Sequence, residues 1–228
     1  MLSTDITAFD ETSAFRSRLN EYAGHMDELI VLVAAHHPMT VEPSEKLRIM
    51  GCSARCKIGI FFELFREARA LVHRAPNSWL ISTQEEFTGL IGYLIKRSRG
   101  TTWQAQIHTD IGSPYYKRVF FTNRIRAFIA KRTLGSASCI RVVSERVRNN
   151  IQRYCSRVPM SIVPIFVDVA KFVRESKQEK IGDAFTIIMV GRLTKEKNIS
   201  LALWVFSEFV KKVPHAKLEI VGDGPLKK

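Results

Sequence analysis

The chain has 228 residues, 46% of them hydrophobic and 25% charged, an ordinary globular balance that excludes collagen-like and wholly disordered classes. Lys and Arg number 35 against 22 Asp and Glu, a formal net charge of +13, so the surface should attract anions: nucleotide phosphates, nucleic acid or an anionic membrane face. Four cysteines are too few for a disulfide framework and point to a reducing cytoplasm; the sequence shows neither a leader pattern nor the roughly 20 apolar residues of a spanning helix, so any membrane association is expected to be peripheral.

Short apolar runs alternate with stretches of helical period. Residues 29–33 (LIVLV) read as a buried strand. Ile58, Phe61, Phe62, Phe65, Ala68 and Val72 then recur at helical spacing. Residues 79–81 are a second strand, and Leu90, Ile91, Leu94 and Ile95 mark a helix that stops near Gly100. Residues 103–107 read as strand, residues 119–129 as one long basic helix, and residues 139–143 as strand again. A helix carrying Val147, Ile151 and Tyr154 follows, and residues 161–165 close the series. This alternation predicts βαβ units and a parallel sheet covered on both faces.

Residues 173–183 (VRESKQEKIGD) have little to bury. They predict a linker between a Rossmann-like domain at 1–172 and a second α/β domain at 184–228, one long surface loop being the alternative. In the second domain, residues 185–190 (FTIIMV) are a strand and residues 191–197 (GRLTKEK) a basic loop. Asn198 is placed to cap a helix whose Ile199, Ala202, Phe206, Phe209 and Val213 share one face. Residues 218–221 are the next strand and residues 222–225 (GDGP) the next turn, completing one βαβ crossover. A complete α/β domain takes about 100–150 residues. The second domain is therefore expected to be truncated, leaving the sheet edge after Val221 and the inner face of its helix without neighbours.

In open parallel sheets ligands bind beyond the carboxyl ends of the strands, where Gly191 and Gly222 stand. Arg192 and Lys197 flank the first loop next to a helix start, so a diphosphate there would meet two cations and a positive helix end; two solvated cations are the alternative. His108 follows the strand at 103–107. No metal is expected, since His108-Thr109-Asp110 lacks a third ligand and Cys52, Cys56, His36 and His37 lack a second cysteine pair. The basic residues Lys96, Arg97, Arg99, Lys117, Arg118, Arg124, Arg126, Lys131 and Arg132 fit a solvated face, attraction to an anionic membrane, or nucleic acid. Against the last, Tyr115, Tyr116, Phe120 and Phe121 fall at helical core spacing and no recognition module is visible.

VGRLTKEKNISLAL followed by PHAKLEIVGDGPLKK resembles the start of the C-terminal domain of GT-B glycosyltransferases, the retaining family-4-like group. SCIRVVSERVRNNI, SIVPIFVDVAKF, LISTQEEFTGLIGYLIKR and QIHTDIG resemble N-domain segments of the same family, so the similarity covers most of residues 77–228 and the first 75 less clearly. The resemblance implies a hexose transferred with retention from a nucleoside-diphosphate sugar to a glycan or lipid-linked acceptor. It also implies a place in cell envelope polysaccharide synthesis, with no cofactor beyond the donor. Arg192 and Lys197, with Gly191, would hold the donor diphosphate. Gly222, Asp223 and Gly224 would face the nucleotide cleft, and His108 would hydrogen-bond the transferred sugar. The segment at 10–18 (DETSAFRSR) takes the place of the family's Gly-Gly loop and offers hydroxyls and arginines instead; Ser13, Arg16 and Ser144 are the acceptor-side candidates. The family's acidic sugar-binding motif lies beyond residue 228. The competing expectations are a non-catalytic fragment that binds an acceptor or partner, and a basic nucleic-acid-binding module.

Overall fold

The computed structural model describes residues 1–75, 78–84, 86–167, 169 and 185–227, and it divides into two units, Met1–Ile165 and Phe166–Lys228. The predicted linker at 173–183 lies outside the described residues.

The first unit is built on one eight-stranded sheet. Its strands are β1 (Leu2–Ser3), β2 (Leu29–Ala34), β3 (Met39–Ser44), β4 (Leu47–Cys52), β5 (Leu80–Thr83), β6 (Thr102–Ile107), β7 (Cys139–Val142) and β8 (Met160–Ile162). Their spatial order is β3-β4-β2-β1-β5-β6-β7-β8, and every pairing is parallel except the β3–β4 hairpin. That hairpin departs from the all-parallel expectation. Its Met39–Ser44 half carries Pro43 and a polar alternation, which suits an exposed edge strand better than a buried one.

The helices are α1 (Ala14–Gly24), α2 (Lys57–Arg74), α3 (Glu86–Arg99), α4 (Tyr116–Val119), α5 (Phe121–Thr133) and α6 (Glu145–Gln152). The single basic helix expected over 119–129 is in fact two, because Phe120 adopts an extended backbone (φ −139°, ψ 147°) between them. Tyr154 lies just past α6 rather than on it.

Each face of the sheet has its own apolar cluster. Phe15, Leu19 and Ala23 of α1 meet Leu29, Val31, Val33, Leu47 and Ile49 on one side. On the other, Leu64, Ala68 and Val72 of α2, Ile91 and Ile95 of α3 and Val147 and Ile151 of α6 close over Ile81, Trp103, Ala105, Ile107, Ile140 and Val142. Trp103 shows how tightly. Its indole N–H donates to Thr83 Oγ1 (3.0 Å), and a Cβ on Gly92 would lie 2.3 Å from that nitrogen, so α3 rests directly on the ring. The α1 side is not apolar throughout: Gln106 donates to Ser82 (2.7 Å) and accepts from Arg141 (3.3 Å), a polar network on β5, β6 and β7.

The second unit is β9 (Thr186–Val190), α7 (Ile199–Val210) and β10 (Lys217–Val221), with β9 and β10 paired in parallel. The inner face of α7, expected to be bare, is half-buried through Ile199, Ala202, Phe206 and Phe209. Exposed apolar residues lie instead on the outward sides of both layers: Ile188, Val190 and Val221 on the sheet, and Leu201, Trp204 and Val205 on the helix.

Candidate functional site

The chain runs outward from β1 in both directions across the sheet, so β1 and β5 form the topological switch point, beside which open α/β sheets bind ligands. Strand β1 ends at Ser3, whose hydroxyl donates to Gln84 Oε1 (3.1 Å) just past β5, and the backbone N–H of Asp5 donates to that same hydroxyl (3.1 Å). These two connections are tied together at the carboxyl edge. A two-residue strand has no periodicity to read, and this contact leaves no local pattern.

His108 is exposed and follows β6 directly, at the same edge. The loop behind it is fastened to α6. Asp110 accepts two bonds from Asn150 Nδ2 (2.9 and 3.0 Å) and pairs with Arg146 (3.3 Å), while Arg153 donates to the Gly112 carbonyl (3.0 Å). A Cβ on Gly112 would lie 2.5 Å from the Asn150 carbonyl, so this approach needs glycine. Asp110 therefore anchors the loop that presents His108.

The acceptor-side candidates have structural employment. Ser13 Oγ caps α1, accepting from Arg16 N (3.0 Å) and donating to the Thr7 carbonyl (2.6 Å). The Arg16 guanidinium is turned inward, 3% exposed, and donates to the Ala8 carbonyl (2.6 Å). Nor does the segment at 10–18 directly follow the first strand: a 3-10 turn, Ile6–Phe9, intervenes. Ser144 ends up at the carboxyl edge after β7, where its hydroxyl accepts from Val147 N (3.3 Å) and caps α6.

In the second unit the two motif loops interlock. Gly191 N donates to Val221 O (3.0 Å), Leu193 N to Asp223 O (2.8 Å) and Leu226 N to Leu193 O (3.1 Å), and Leu193 is buried. A Cβ on Gly222 would sit 1.8 Å from the Gly191 carbonyl, and one on Gly224 2.5 Å from the Leu193 carbonyl. Both glycines are thus required by the packing of one loop on the other. Asp223 is turned out, accepting from Gly224 N (2.9 Å) and pairing with Lys227 (3.4 Å).

Arg192 and Lys197 are both exposed on the first of these loops, beyond the carboxyl end of β9. The methylene stem of Lys197 lies against the bare Cα of Gly191, with Cε 3.6 Å from where a Cβ would be. The Glu196 carboxyl is held below the usual range first by a bond from its own backbone N–H, then by the Thr194 hydroxyl, and further by the charges of Arg192 and Lys197. Asn198 stands at the head of α7 but in a left-handed conformation (φ 49°, ψ 51°), with no side-chain capping bond. Its backbone carbonyl receives the Leu201 and Ala202 N–H groups instead.

Cys52 and Cys56 do not act together. Cys56 Sγ accepts from Gly59 N (3.4 Å) at the start of α2, and burial together with the Glu67 and Glu63 charges pushes the Cys52 thiol up to about 12. Among the described residues, no three His, Cys, Asp or Glu side chains gather in a way that could hold a metal. No described helix is long and apolar enough to cross a membrane.

Residues 172–228 match the family model described as "Glycosyl transferases group 1". The alpha-monoglucosyldiacylglycerol synthase of Streptococcus pneumoniae (strain ATCC BAA-255 / R6) is 27% identical over 161 residues, covering 64% of this chain and 36% of its own length. The enzyme of the same name from Acholeplasma laidlawii is 33% identical over 76 residues, 28% of this chain and 19% of its own length. The chain thus spans 36% of the first of these curated relatives and 19% of the second. Among solved structures, Anabaena Alr3699/HepE in complex with UDP and glucose superposes with a TM-score of 0.60 at 15% identity, over 98% of this chain and 61% of that one. Sucrose-phosphate synthase from Thermosynechococcus elongatus gives 0.57 at 12% identity, over 92% and 64%.

Proposed function

We propose that this chain, whose fold is that of the GT-B glycosyltransferases and whose C-terminal residues match their group 1 model, is part of an enzyme that transfers a hexose, with retention, from a nucleoside-diphosphate sugar to a lipid-linked acceptor. The observation that carries the reading is the pair of interlocked loops, which holds Arg192 and Lys197 exposed at the carboxyl end of β9. A departing nucleoside diphosphate gains negative charge as the glycosidic bond breaks. Two cations already positioned there stabilise that charge more in the transition state than in the ground state. His108, on its anchored loop, supplies a hydrogen-bonding group for the sugar. The lipid nature of the acceptor is supported by the name of both curated relatives, alpha-monoglucosyldiacylglycerol synthase. The donor class is supported by the UDP and glucose named with the Anabaena structure.

The test is transfer of labelled hexose from uridine-diphosphate hexoses to diacylglycerol in mixed micelles, by a form extended to the length of the curated relatives. Labelled glycolipid is expected, falling by a hundredfold or more with Arg192→Ala, which removes a charge-assisted contact worth about 1.5–3 kcal/mol in the ground state alone. No transfer to any lipid acceptor, with transfer to a soluble glycan instead, would replace the lipid reading with a polysaccharide one.

A further inference from the structure

Helix α5 is built inside out. The residues it buries are Asn123, Ala127, Ala130 and Thr133, small or polar. Its outward stripe is Phe121 (73% exposed), Ile125 and Phe128 (58%), one above another at spacings of four and three. Phe120, at the break before the helix, and Tyr115, before α4, are also exposed, contrary to the core role their spacing predicted. A helix that spends its largest apolar side chains on water and its smallest on the core has a partner on its outer face.

Charge specifies what kind. From residue 111 to residue 144 the sequence has no Asp or Glu and seven Lys or Arg. Beside the stripe lies a hollow of ≈ 620 Å³ lined by Gly112, Pro114, Lys117, Arg118, Arg124 and Arg153. Among the described residues Lys117, Arg118 and Arg124 make no ion pair. The Arg132 guanidinium lies over the outward Phe128 ring at 5.0 Å, so cation and ring share one face. Aromatic rings flanked by arginines, with their methylene stems down and charged heads up, match the boundary of a bilayer: apolar below, phosphate at the height of the cations.

We infer that the elbow formed by α4, Phe120 and α5 is a membrane-docking surface, seated in the interface of an anionic bilayer with a lipid phosphate in the Lys117–Arg118–Arg124 hollow. It would bring the carboxyl edge of the sheet, where α4 and His108 both stand, to the surface that carries the acceptor of the reading above.

The experiment is flotation of the whole chain with vesicles of phosphatidylcholine alone and of equal parts phosphatidylcholine and phosphatidylglycerol. The chain should float with the anionic vesicles only, and less so as salt is added. Arg118→Gln with Arg124→Gln should weaken that binding roughly thirtyfold, about fivefold per cation removed, and Phe121→Ser with Phe128→Ser should also release the chain. Lys46→Gln with Lys212→Gln removes the same charge at exposed sites elsewhere and should change binding little; circular dichroism checks that all three fold. Equal losses in the elbow and control variants would mean the chain binds through net charge alone, and the docking surface would be withdrawn. Binding of inorganic phosphate or of single-stranded RNA that depends on Arg118 and Arg124, with no vesicle binding, would overturn it in favour of a soluble ligand. Flotation needs neither donor nor turnover, so a failure of hexose transfer leaves its result standing.

Discussion

Gly222 and Gly224 have no side chain to offer a ligand, yet they determine whether Arg192 and Lys197 are held in one loop. The Gly-Asp-Gly turn was recognisable as a motif; that its glycines serve carbonyls of the facing loop emerges only from the packing. The same division runs through other residues. The cations could be found because exposed charge at a strand end is a local pattern. The clasp of Asp110 on Asn150 spans 40 positions and leaves no local trace. Ser13 and Arg16 differ in kind: the hydroxyl caps α1 and the guanidinium is held by a buried carbonyl. Arg16→Ala should therefore act on stability and not on acceptor use. The cysteines give a sharper check at this scale. A raised thiol pKa means fewer thiolates at a given pH, and the thiolate is the reactive form. Burial pushes Cys155 up to about 11, and burial with two nearby carboxylates takes Cys52 to about 12, whereas Cys56 is exposed. Iodoacetamide at pH 8 followed by peptide mapping should modify Cys56 first and reach Cys52 and Cys155 only when the chain is unfolded. Early labelling of Cys52 would contradict the burial.

The elements that were legible are those with a clear apolar pattern in the sequence. β2 and β9 are apolar runs, β6 and β7 alternate apolar with polar residues, and α2 and α3 keep a helical apolar period. Those that were not have specific reasons. β1 is two residues long, β3 is a polar edge carrying Pro43, and the break at Phe120 has neither glycine nor proline to announce it. α5 misleads for a different reason: its large apolar residues follow helical spacing but face outward, so periodicity finds the helix and assigns the wrong face. α3 offers the cleanest test of packing. A Cβ on Gly92 meets the rigid Trp103 indole, so Gly92→Ala should cost about 1–3 kcal/mol despite the better helix propensity of alanine. A melting temperature lower by roughly 2–4 °C per kcal/mol would report it. At Gly24, the last residue of α1, a Cβ meets nothing within 4 Å, and alanine there should be neutral or stabilising by up to about 1 kcal/mol. Equal melting temperatures for the two variants would mean that Trp103 yields.

Across the whole molecule, the charge of +13 resolves into separate jobs. In the reading proposed above, the Arg192–Lys197 loop of the second unit offers its cations to a diphosphate, and the elbow of the first offers its own to lipid phosphate. Neither helix dipoles nor net charge would make that distinction; it rests on which cations stand beside bare glycine backbone and which beside exposed rings. The second unit stays narrow, one crossover whose sheet leaves Ile188, Val190 and Val221 exposed, so donor binding is best measured in a form extended to the length of the curated relatives. The central claim is that the loop after β9 holds the donor diphosphate. Isothermal titration of uridine diphosphate into that extended form, unsubstituted and with Arg192→Ala or Lys197→Ala, puts it to the test. Each substitution should weaken binding by roughly tenfold to a hundredfold, the loss of one charge-assisted hydrogen bond, with an unchanged circular dichroism spectrum. Equal affinities in all three proteins would make the loop an ordinary solvated turn and contradict the donor-site assignment.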